Sequence, residues 1–230
     1  MNRKQQSELN MDWNPNKAEA YVARQTIVSG NCQLVGYELL FRDSWENACP
    51  EVPLADASID LVSSTKLSLE LERLVGANTA FINFPQHSLL NKFPTYFDPD
   101  RIVVEIMETV EPTDELIEVC KELKTRGYRL ALDDFDFNQK WQRMSHLVDI
   151  IKIDISTINP EILARKVATL VRGSKSLIAE RIETRDQYER CKAIGFDYFQ
   201  GFYFSRPEIL EQEKLDSNHF AMLQLLADQP

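Results

Sequence analysis

Glycine, cysteine and histidine are all scarce in this sequence, and each shortage excludes a class of protein. Seven Gly and ten Pro in 230 residues are too few for a fibrous or low-complexity chain. The four Cys form no C-x-x-C pair and the three His are scattered, so we expect neither a disulfide framework nor a Cys/His zinc site. A reduced, cytoplasmic setting is the simplest expectation.

Positive charge and long apolar runs are also in short supply. The chain has 26 Lys and Arg against 36 Asp and Glu, and its formal charge of -10 repels polyanions because no basic patch is concentrated anywhere. No stretch reaches the length of a membrane span, and the N-terminus lacks the apolar core of a signal peptide. We therefore expect neither a nucleic-acid polymer nor a membrane as partner.

The residues that are present predict one α/β domain. With 43% hydrophobic residues, a chain of this length can bury one sizeable core. The first two apolar runs are predicted to form a hairpin, because Gly30-Asn31 between them is typical of the positive φ in tight turns. From there strands and helices alternate. Strands are predicted at 21–29, 33–42, 79–84, 101–105, 129–133, 148–154, 176–180 and 197–200, and helices at 54–75, 112–125, 160–172 and 185–194.

Eight strands joined mostly by helical crossovers predict a (β/α)8 TIM-like barrel whose first strand is antiparallel. A short helical stretch is expected after Pro85, and a loop or helix around Trp141. An open doubly wound sheet is the alternative, but no Gly-rich phosphate loop follows the first strand. The expected organisation is a flexible tail over 1–17, a barrel domain over 18–207 and a helical segment over 208–230.

Polar side chains stand at the ends of the predicted strands. Side chains alternate between the faces of a strand, so the last residue shares its face with the residue two before it. A barrel gathers the carboxyl ends of its strands on one rim, where active sites are built. The face-sharing pairs are Phe81 with Asn83, Val103 with Glu105, Ala131 with Asp133, Ile150 with Lys152, and Ile178 with Glu180; Glu38 and Gln200 add two further polar groups.

So many carboxylates at one rim would repel each other unless a cation were bound among them. An all-oxygen set formed by Glu38, Asn83, Glu105 and Asp133 suits Mg²⁺ or Mn²⁺ rather than zinc. The sequence therefore predicts a divalent-metal site at the rim.

Each segment taken alone has a simpler explanation. Asp133-Asp134 is also suited to capping a helix, and Glu105 to beginning one. Lys152 is equally suited to a surface ion pair, and a Schiff-base aldolase with Lys152 as its nucleophile is a further alternative. The joint pattern of one polar residue per strand end favours the metal site.

The segments that carry these residues resemble those of EAL domains. Glu38-Leu39-Leu40, within G-Y-E-L-L-F-R, stands where those proteins read E-A-L. The segments I-N-F, E-I-M-E, L-A-L-D-D-F, I-K-I-D, A-E-R-I-E-T and F-Q-G-F-Y-F-S-R-P follow in the family's order at similar spacing, so the resemblance covers about residues 21–207. EAL domains are modified (β/α)8 barrels, and active members hydrolyse cyclic di-GMP to linear pGpG with Mg²⁺ or Mn²⁺.

The resemblance implies a role for each residue at the rim. Lys152 would hold the attacking water, and Glu180 would act as the general base or as a metal ligand through water. Asp134 would bind a second metal, and Glu108 would anchor the loop after Asp134. The implied metal ligands are Glu38, Asn83, Glu105, Asp133 and Asp134, and the implied substrate-binding residues are Gln25, Arg42 and Gln200.

The chain departs from the family pattern around these ligands. The Gly-, Thr- and Ser-containing loop expected after D-D-F is replaced by D-F-N-Q-K-W, and the Gly expected after Glu180 is Arg181. A catalytically weak or inactive module that binds cyclic di-GMP or a protein is therefore the alternative function. The closest form of the resemblance is to EAL halves of EAL-HDOD proteins, which implies an HDOD domain after 208–230, and the family also implies a homodimer.

Overall fold

The computed structural model describes residues 21–42, 61–170, 173 and 175–210. These residues form one sheet closed into a barrel, with helices packed outside it. The strands are β1 (Tyr21–Ser29), β2 (Leu34–Arg42), β3 (Thr79–Phe84), β4 (Ile102–Ile106), β5 (Arg129–Leu132), β6 (Ile150–Asp154), β7 (Ser176–Glu180), β8 (Tyr198–Phe199) and β9 (Glu208–Leu210).

The sheet closes through its first strand. Strands β2 to β8 pair in parallel in chain order, whereas β1 is antiparallel to both β2 and β8 and so joins the two ends. Closure removes the exposed edges of the sheet and brings the carboxyl ends of seven parallel strands to one rim. The predicted TIM-like barrel with an antiparallel first strand is confirmed, and the doubly wound alternative is wrong.

The hairpin between β1 and β2 differs from the prediction in its turn. The positive φ lies at Cys32, at 57°, and at neither Gly30 nor Asn31. The amide of Ser29 donates to the carbonyl of Gln33 at 2.8 Å, which closes a three-residue loop. A loop of this length places its left-handed residue third, whereas the two-residue turn that the Gly-Asn pair suggested places it earlier.

The helices fall close to their predicted positions. α5 has its predicted bounds, and Gly195 ends it in the left-handed conformation at φ 104°. The predicted helix at 54–75 is seen from residue 61, since 43–60 lies outside the described residues. The stretch around Trp141 is a 3-10 helix, Gln139–Arg143. The α-helices are α1 (Leu61–Val75), α2 (Gln86–Leu90), α3 (Asp114–Thr125), α4 (Pro160–Thr169) and α5 (Arg185–Ile194).

The apolar residues form two separate layers. The larger layer lies between the barrel and its helices. The smaller layer fills the barrel interior, and it contains the five apolar residues that the alternation of faces paired with the polar strand ends. The interior residues are Ile27, Phe81, Val103, Ala131, Ile150 and Ile178.

The segment after the barrel begins differently from the prediction. A helical segment was expected from residue 208, but Glu208–Leu210 form β9, which is antiparallel to β1 through Val22, Ala23 and Arg24. Residues 1–20 and 211–230, which include the predicted tail and most of the predicted C-terminal helix, lie outside the described residues. Among the described helices, none combines the length and the apolar character that crossing a membrane requires.

Candidate metal centre

A fully buried lysine lies in the middle of the candidate metal centre. Lys152 on β6 has no solvent exposure. Its Nζ is 2.7 Å from Asp133 Oδ1, 2.8 Å from Glu105 Oε1, 3.0 Å from Glu180 Oε1 and 3.1 Å from Glu38 Oε1. Lys152 is thus a salt-bridge partner but not an edge-strand or surface charge, because one buried ammonium is surrounded by carboxylates from four other segments of the barrel. We call these five residues the lysine cluster.

The lysine cluster follows from the stagger of the parallel strands. Glu105 pairs with Ala131 on β5, and Lys152 pairs with Ile178 on β7. Asp133 and Glu180 lie two positions beyond these partners along the chain, so they project toward the rim. The apolar layer fills the barrel interior below, and the polar groups follow it along the strands toward the rim. The strand-end alternation seen in the sequence thus becomes a ring of charged groups.

Burial and mutual repulsion alter the acidity of the cluster. Burial raises the pKa of Glu105 well above its usual value, and the neighbouring Glu38 and Asp133 raise it further against the lowering effect of Lys152. Burial also raises the pKa of Glu180, with Asp133 and Glu38 adding to the effect. For Lys152, burial alone lowers the pKa, but the four carboxylates outweigh burial and raise it well above its usual value. The lysine is therefore a permanent cation, and it does not by itself balance the carboxylates.

Several oxygens of the site are buried without a hydrogen-bond partner among the described residues. They include Asn83 Oδ1, Glu105 Oε2 and Glu180 Oε2. Unpaired buried oxygens are costly, and such groups point to an unsatisfied ligand position. Glu38, Glu105 and Asp133 each bring one oxygen to within 4.8 Å of the others, which suits a hard divalent cation. The residues present thus fit the predicted metal.

Gln25 and Gln200 extend the cluster along one side. Gln200 Nε2 donates to Glu38 Oε2 and to Gln25 Oε1, the latter at 3.1 Å. Gly201 makes this placement possible, because its φ is 151° and an added Cβ would lie 2.1 Å from the carbonyl oxygen of Ile182. Only glycine allows that approach, so the chain can turn directly after Gln200.

A second group of carboxylates lies beside the first and shares Asp133 with it. Asp133, Asp134 and Glu108 bring oxygens within 4.8 Å of one another, and we call them the outer cluster. Burial, followed by the charges of Asp133 and Glu108, raises the pKa of Asp134 to about 6. Asp134 has φ 41°, in the left-handed region that few non-glycine residues adopt. A strained backbone at a polar site is a frequent mark of function.

The position of the next helical segment excludes the explanation that Asp133-Asp134 caps a helix. The next helical segment begins only at Gln139, and its cap is Asn138, whose side chain accepts from the amide of Lys140. Glu105 does not begin a helix either. It lies inside β4, and α3, which follows β4 along the chain, is capped by Thr113.

A lysine holds the atypical loop after β5 in place. Lys140 Nζ donates to the carbonyl oxygens of Glu108 at 2.8 Å and Val110 at 3.3 Å, and it lies 4.6 Å from the centre of the Trp141 ring. The contact therefore uses the backbone of Glu108, while its carboxylate faces the outer cluster. Sequence reasoning missed Lys140, since nothing in the pattern of one lysine predicts contacts with a loop 30 residues away.

Sequence reasoning also assigned neither Asp154 nor Arg181 to the site. Asp154 lies two residues after Lys152 on β6, so the same alternation that found the lysine places it on the same face. It is 8% exposed, accepts from the amide of Ser156 at 2.8 Å and pairs with Arg181 at 3.2 Å. Arg181 has φ 56°, which is a backbone conformation that favours glycine at this position.

All of the predicted site residues with described side chains come together at the rim. Arg42 ends β2, but its side chain lies outside the described part of the chain. The residues that the structure brings together are Gln25, Glu38, Asn83, Glu105, Glu108, Asp133, Asp134, Lys152, Glu180 and Gln200.

Known proteins share both the sequence pattern and the fold. The family model described as "EAL domain" matches residues 82–207, which is more than half of the chain. The chain belongs to the EAL domain family. "Cyclic di-GMP phosphodiesterase CdgJ" of Vibrio cholerae is 42% identical over 211 residues, which are 90% of this chain and 49% of that protein. The chain spans about half the length of the first curated relatives it matches.

Two solved EAL structures show the same fold at lower sequence identity. The manganese and cyclic di-GMP complex of Klebsiella pneumoniae BlrP1 superposes with a TM-score of 0.62 at 24% identity, covering 85% of this chain and 57% of that one. The complex of Bacillus subtilis YkuI with cyclic di-GMP and calcium has a TM-score of 0.61 at 22% identity, covering 91% of this chain and 61% of that one. At identities below 25%, the structural similarity supports the barrel fold alone.

Proposed function

We propose that this EAL domain hydrolyses cyclic di-GMP to linear pGpG with the help of Mg²⁺ or Mn²⁺. The observation that carries the proposal is the lysine cluster, in which carboxylates from separate strands converge on one buried ammonium and keep further oxygens unpaired. Membership in the EAL family supports it, as does the 42% identity to a protein named as a cyclic di-GMP phosphodiesterase.

Metal binding in this proposal uses both carboxylate clusters. Glu38, Asn83, Glu105 and Asp133 would hold one cation, and Asp134 would hold a second one. The unpaired buried oxygens of Asn83 and Glu105 favour this assignment. Bound divalent cations lower the pKa of a water and neutralise charge on a phosphodiester.

The chain's own residues then position the reacting groups. Lys152 keeps its charge and donates hydrogen bonds, so it holds the oxygen of the attacking water beside the cluster. Glu180, whose pKa burial raises, accepts the proton of that water as the oxygen bonds to phosphorus. The bond from phosphorus to the ribose 3′ oxygen breaks and that oxygen takes up a proton from solvent, which yields linear pGpG, and Glu180 then releases the proton that it accepted.

Substrate binding is assigned to the residues on either side of the cluster. Gln200 is held by Glu38 and Gln25, so both amides lie next to the reacting centre. Arg42 is proposed to bind a phosphate through its guanidinium, since that fork matches two phosphate oxygens. Glu108 is proposed to order the loop after β5 through its position in the outer cluster.

The geometry argues against the aldolase alternative. A Schiff-base lysine must lose its proton to attack a carbonyl. The carboxylates around Lys152 raise its pKa, so the amine stays protonated. The alternative of a non-catalytic module that binds cyclic di-GMP or a protein is favoured by the atypical loop, in which Asp136 and Phe137 replace the family's small residues. Turnover measurements separate it from the enzyme.

The proposal extends to the setting of the domain. We infer a cytoplasmic protein in which an HDOD domain follows the segment 208–230, and in which two EAL domains associate as a homodimer. The resemblance of Y-E-L-L-F-R and D-D-F-D-F-N-Q-K-W to EAL-HDOD proteins supports the HDOD domain. Light scattering of this chain and of a longer form that includes the next domain tests both associations.

The decisive experiment is turnover of cyclic di-GMP by the chain with Mn²⁺, followed by chromatography of the products. We expect linear pGpG from the parent, none in a chelator, and a loss of at least about 100-fold in Glu38→Gln because a metal ligand is removed. The matched control is Glu118→Gln, since Glu118 is an exposed residue on α3 that pairs with Lys121. Tight binding of cyclic di-GMP without any linear product would leave the binding module as the function.

A further inference from the structure

A cavity of about 430 Å³ adjoins the outer cluster. Its lining includes Asp134, Phe135, Asp154, Arg181 and, on α4, Lys166. Ligand pockets for small molecules fall in this range of volume. A space large enough for part of a nucleotide is therefore built directly beside the proposed reacting centre.

Two cations line this cavity although the surrounding rim is acidic. Arg181 follows Glu180 directly, its side chain is 64% exposed, and its ion pair with Asp154 uses Nε at 3.2 Å. Lys166 Nζ lies 4.5 Å from the centre of the Phe137 ring. The guanidinium of Arg181 is mostly exposed and pairs through Nε, and the ammonium of Lys166 lies against an aromatic ring, so both cations keep donors for a ligand that enters the cavity.

The backbone of Arg181 indicates that its side chain has a purpose beyond the ion pair. Its φ of 56° lies in the left-handed region, which is unfavourable for a residue with a side chain relative to glycine. The Arg181–Asp154 pair joins an exposed guanidinium to a nearly buried carboxylate and engages Nε of the arginine. That ion pair does not use the two terminal nitrogens of the guanidinium, which can bind a ligand.

The position of Arg181 in the barrel complements that of Arg42. Arg42 ends β2 and Arg181 follows β7, and in the closed sheet β1 and β8 lie between these two strands. The lysine cluster lies between the two arginines on the rim, since Glu38 belongs to β2 and Glu180 to β7. An elongated ligand centred on the cluster reaches both sides.

Cyclic di-GMP has two phosphodiesters, and only one occupies the reacting centre during hydrolysis. We propose, on the basis of the proposed function, that Arg181 with Lys166 binds the second phosphodiester of the cyclic dinucleotide in this cavity. Arg181 leaves Asp154 to pair with the phosphate, because a charged guanidinium binds phosphate through two parallel hydrogen bonds. Arg181 is thus a substrate-affinity residue particular to this chain.

The test compares Arg181→Gly with Arg181→Gln. Both remove the charge, but glycine also relieves the left-handed backbone whereas glutamine keeps the strain. We expect both to raise the KM for cyclic di-GMP by about 10- to 100-fold, the range for losing a charged hydrogen bond, with a smaller change in kcat. Arg165→Gln on α4 is the control, since Arg165 is exposed and contacts only the carbonyl of Glu161 among its recorded partners.

A second substrate distinguishes an effect at the cavity from an effect at the reacting centre. Bis(p-nitrophenyl) phosphate has a single phosphodiester, so its kcat/KM with Mn²⁺ should fall much less in both variants than that of cyclic di-GMP. Calorimetry of cyclic di-GMP binding in Ca²⁺ gives a readout independent of turnover, and the same loss of affinity is expected there.

Each outcome supports or overturns the inference. Equal losses on both substrates would show that Arg181 acts on the reacting centre, and unchanged affinity in both variants would show a structural ion pair only. If glycine restores parental affinity and glutamine does not, backbone strain rather than charge is responsible. A parent that binds cyclic di-GMP without hydrolysing it overturns the proposed enzyme, while the binding comparison still decides on Arg181.

Discussion

The lysine cluster and the outer cluster share Asp133 but are built differently. The lysine cluster stands on strand ends above a packed interior layer, and Glu105 within it has no solvent exposure. The outer cluster stands on loops, where Glu108 is exposed and Asp134 has a left-handed backbone. A strand-built site is held by the closure of the barrel, whereas a loop-built site depends on local contacts such as those of Lys140.

The difference teaches where variation is tolerated in this domain. The ligands of the lysine cluster are set by strand register, and changing one leaves a buried charge without its partner. The outer cluster is reached through loops that differ from the family pattern, and Lys140 and Arg181 belong to those segments. The two clusters should therefore respond differently to substitution.

Lys152→Met should have the largest effect on stability. It removes the ammonium that contacts four buried or nearly buried carboxylates, and the loss should be about 3–5 kcal/mol in the free energy of unfolding without metal. Urea denaturation measures it. Lys121→Met is the control, because the Lys121–Glu118 pair on α3 is exposed. A loss no larger than the control's would mean that the ion pairs do not hold the cluster.

Glu105→Gln should change stability and cation binding in opposite directions. Its folded pKa is raised, so the folded carboxyl keeps a proton that the unfolded chain loses above the usual pKa of 4.5. In a chelator the parent should thus lose stability as the pH rises above that value. The variant lacks this titrating carboxyl, so without metal its free energy of unfolding at pH 7 should exceed that of the parent.

The same variant should gain less from Mn²⁺ than the parent, because one ligand oxygen of the lysine cluster is gone. Thermal unfolding with and without the metal measures both effects. A parent whose stability without metal does not fall between pH 5 and 8 would contradict the argument from repulsion.

Asp134→Asn should affect the outer cluster alone. Asparagine tolerates the left-handed backbone of Asp134, so the fold and its stability should be retained. We expect a loss of at least about 10-fold in affinity for a second cation, with the first site intact. Titration with Mn²⁺ followed by paramagnetic resonance counts the ions. Two equally tight ions in the variant would remove Asp134 from the metal site.

Lys140→Met should have the smallest effect. It removes the donor to the carbonyls of Glu108 and Val110 at a partly exposed position, so about 1 kcal/mol of stability should be lost. Affinity at the outer cluster should weaken more than affinity at the lysine cluster. Titrating both sites in the variant and in Lys121→Met checks this. Equal weakening of both sites would mean that the loop supports the whole rim.

Much of the site was accessible from the sequence because strands impose a simple geometry. The alternation of faces located Asn83, Glu105, Asp133, Lys152 and Glu180, and the same rule applied two residues further would have found Asp154. Arg181 was visible only as a departure, since the left-handed backbone that makes it notable is not encoded in one residue type. The turn at Cys32 was misplaced for the same reason, because a Gly-Asn pair is compatible with more than one loop length.

The sequence by itself determined the order of strands and helices and the face on which each polar residue lies, because these depend on local periodicity. Only the tertiary structure decided that one ammonium contacts four carboxylates, since that depends on closure and stagger of the barrel. It alone also brought Lys140 to the carbonyl of Glu108 and Arg181 to a cavity with Lys166. Contacts between loops depend on distances that no local pattern contains.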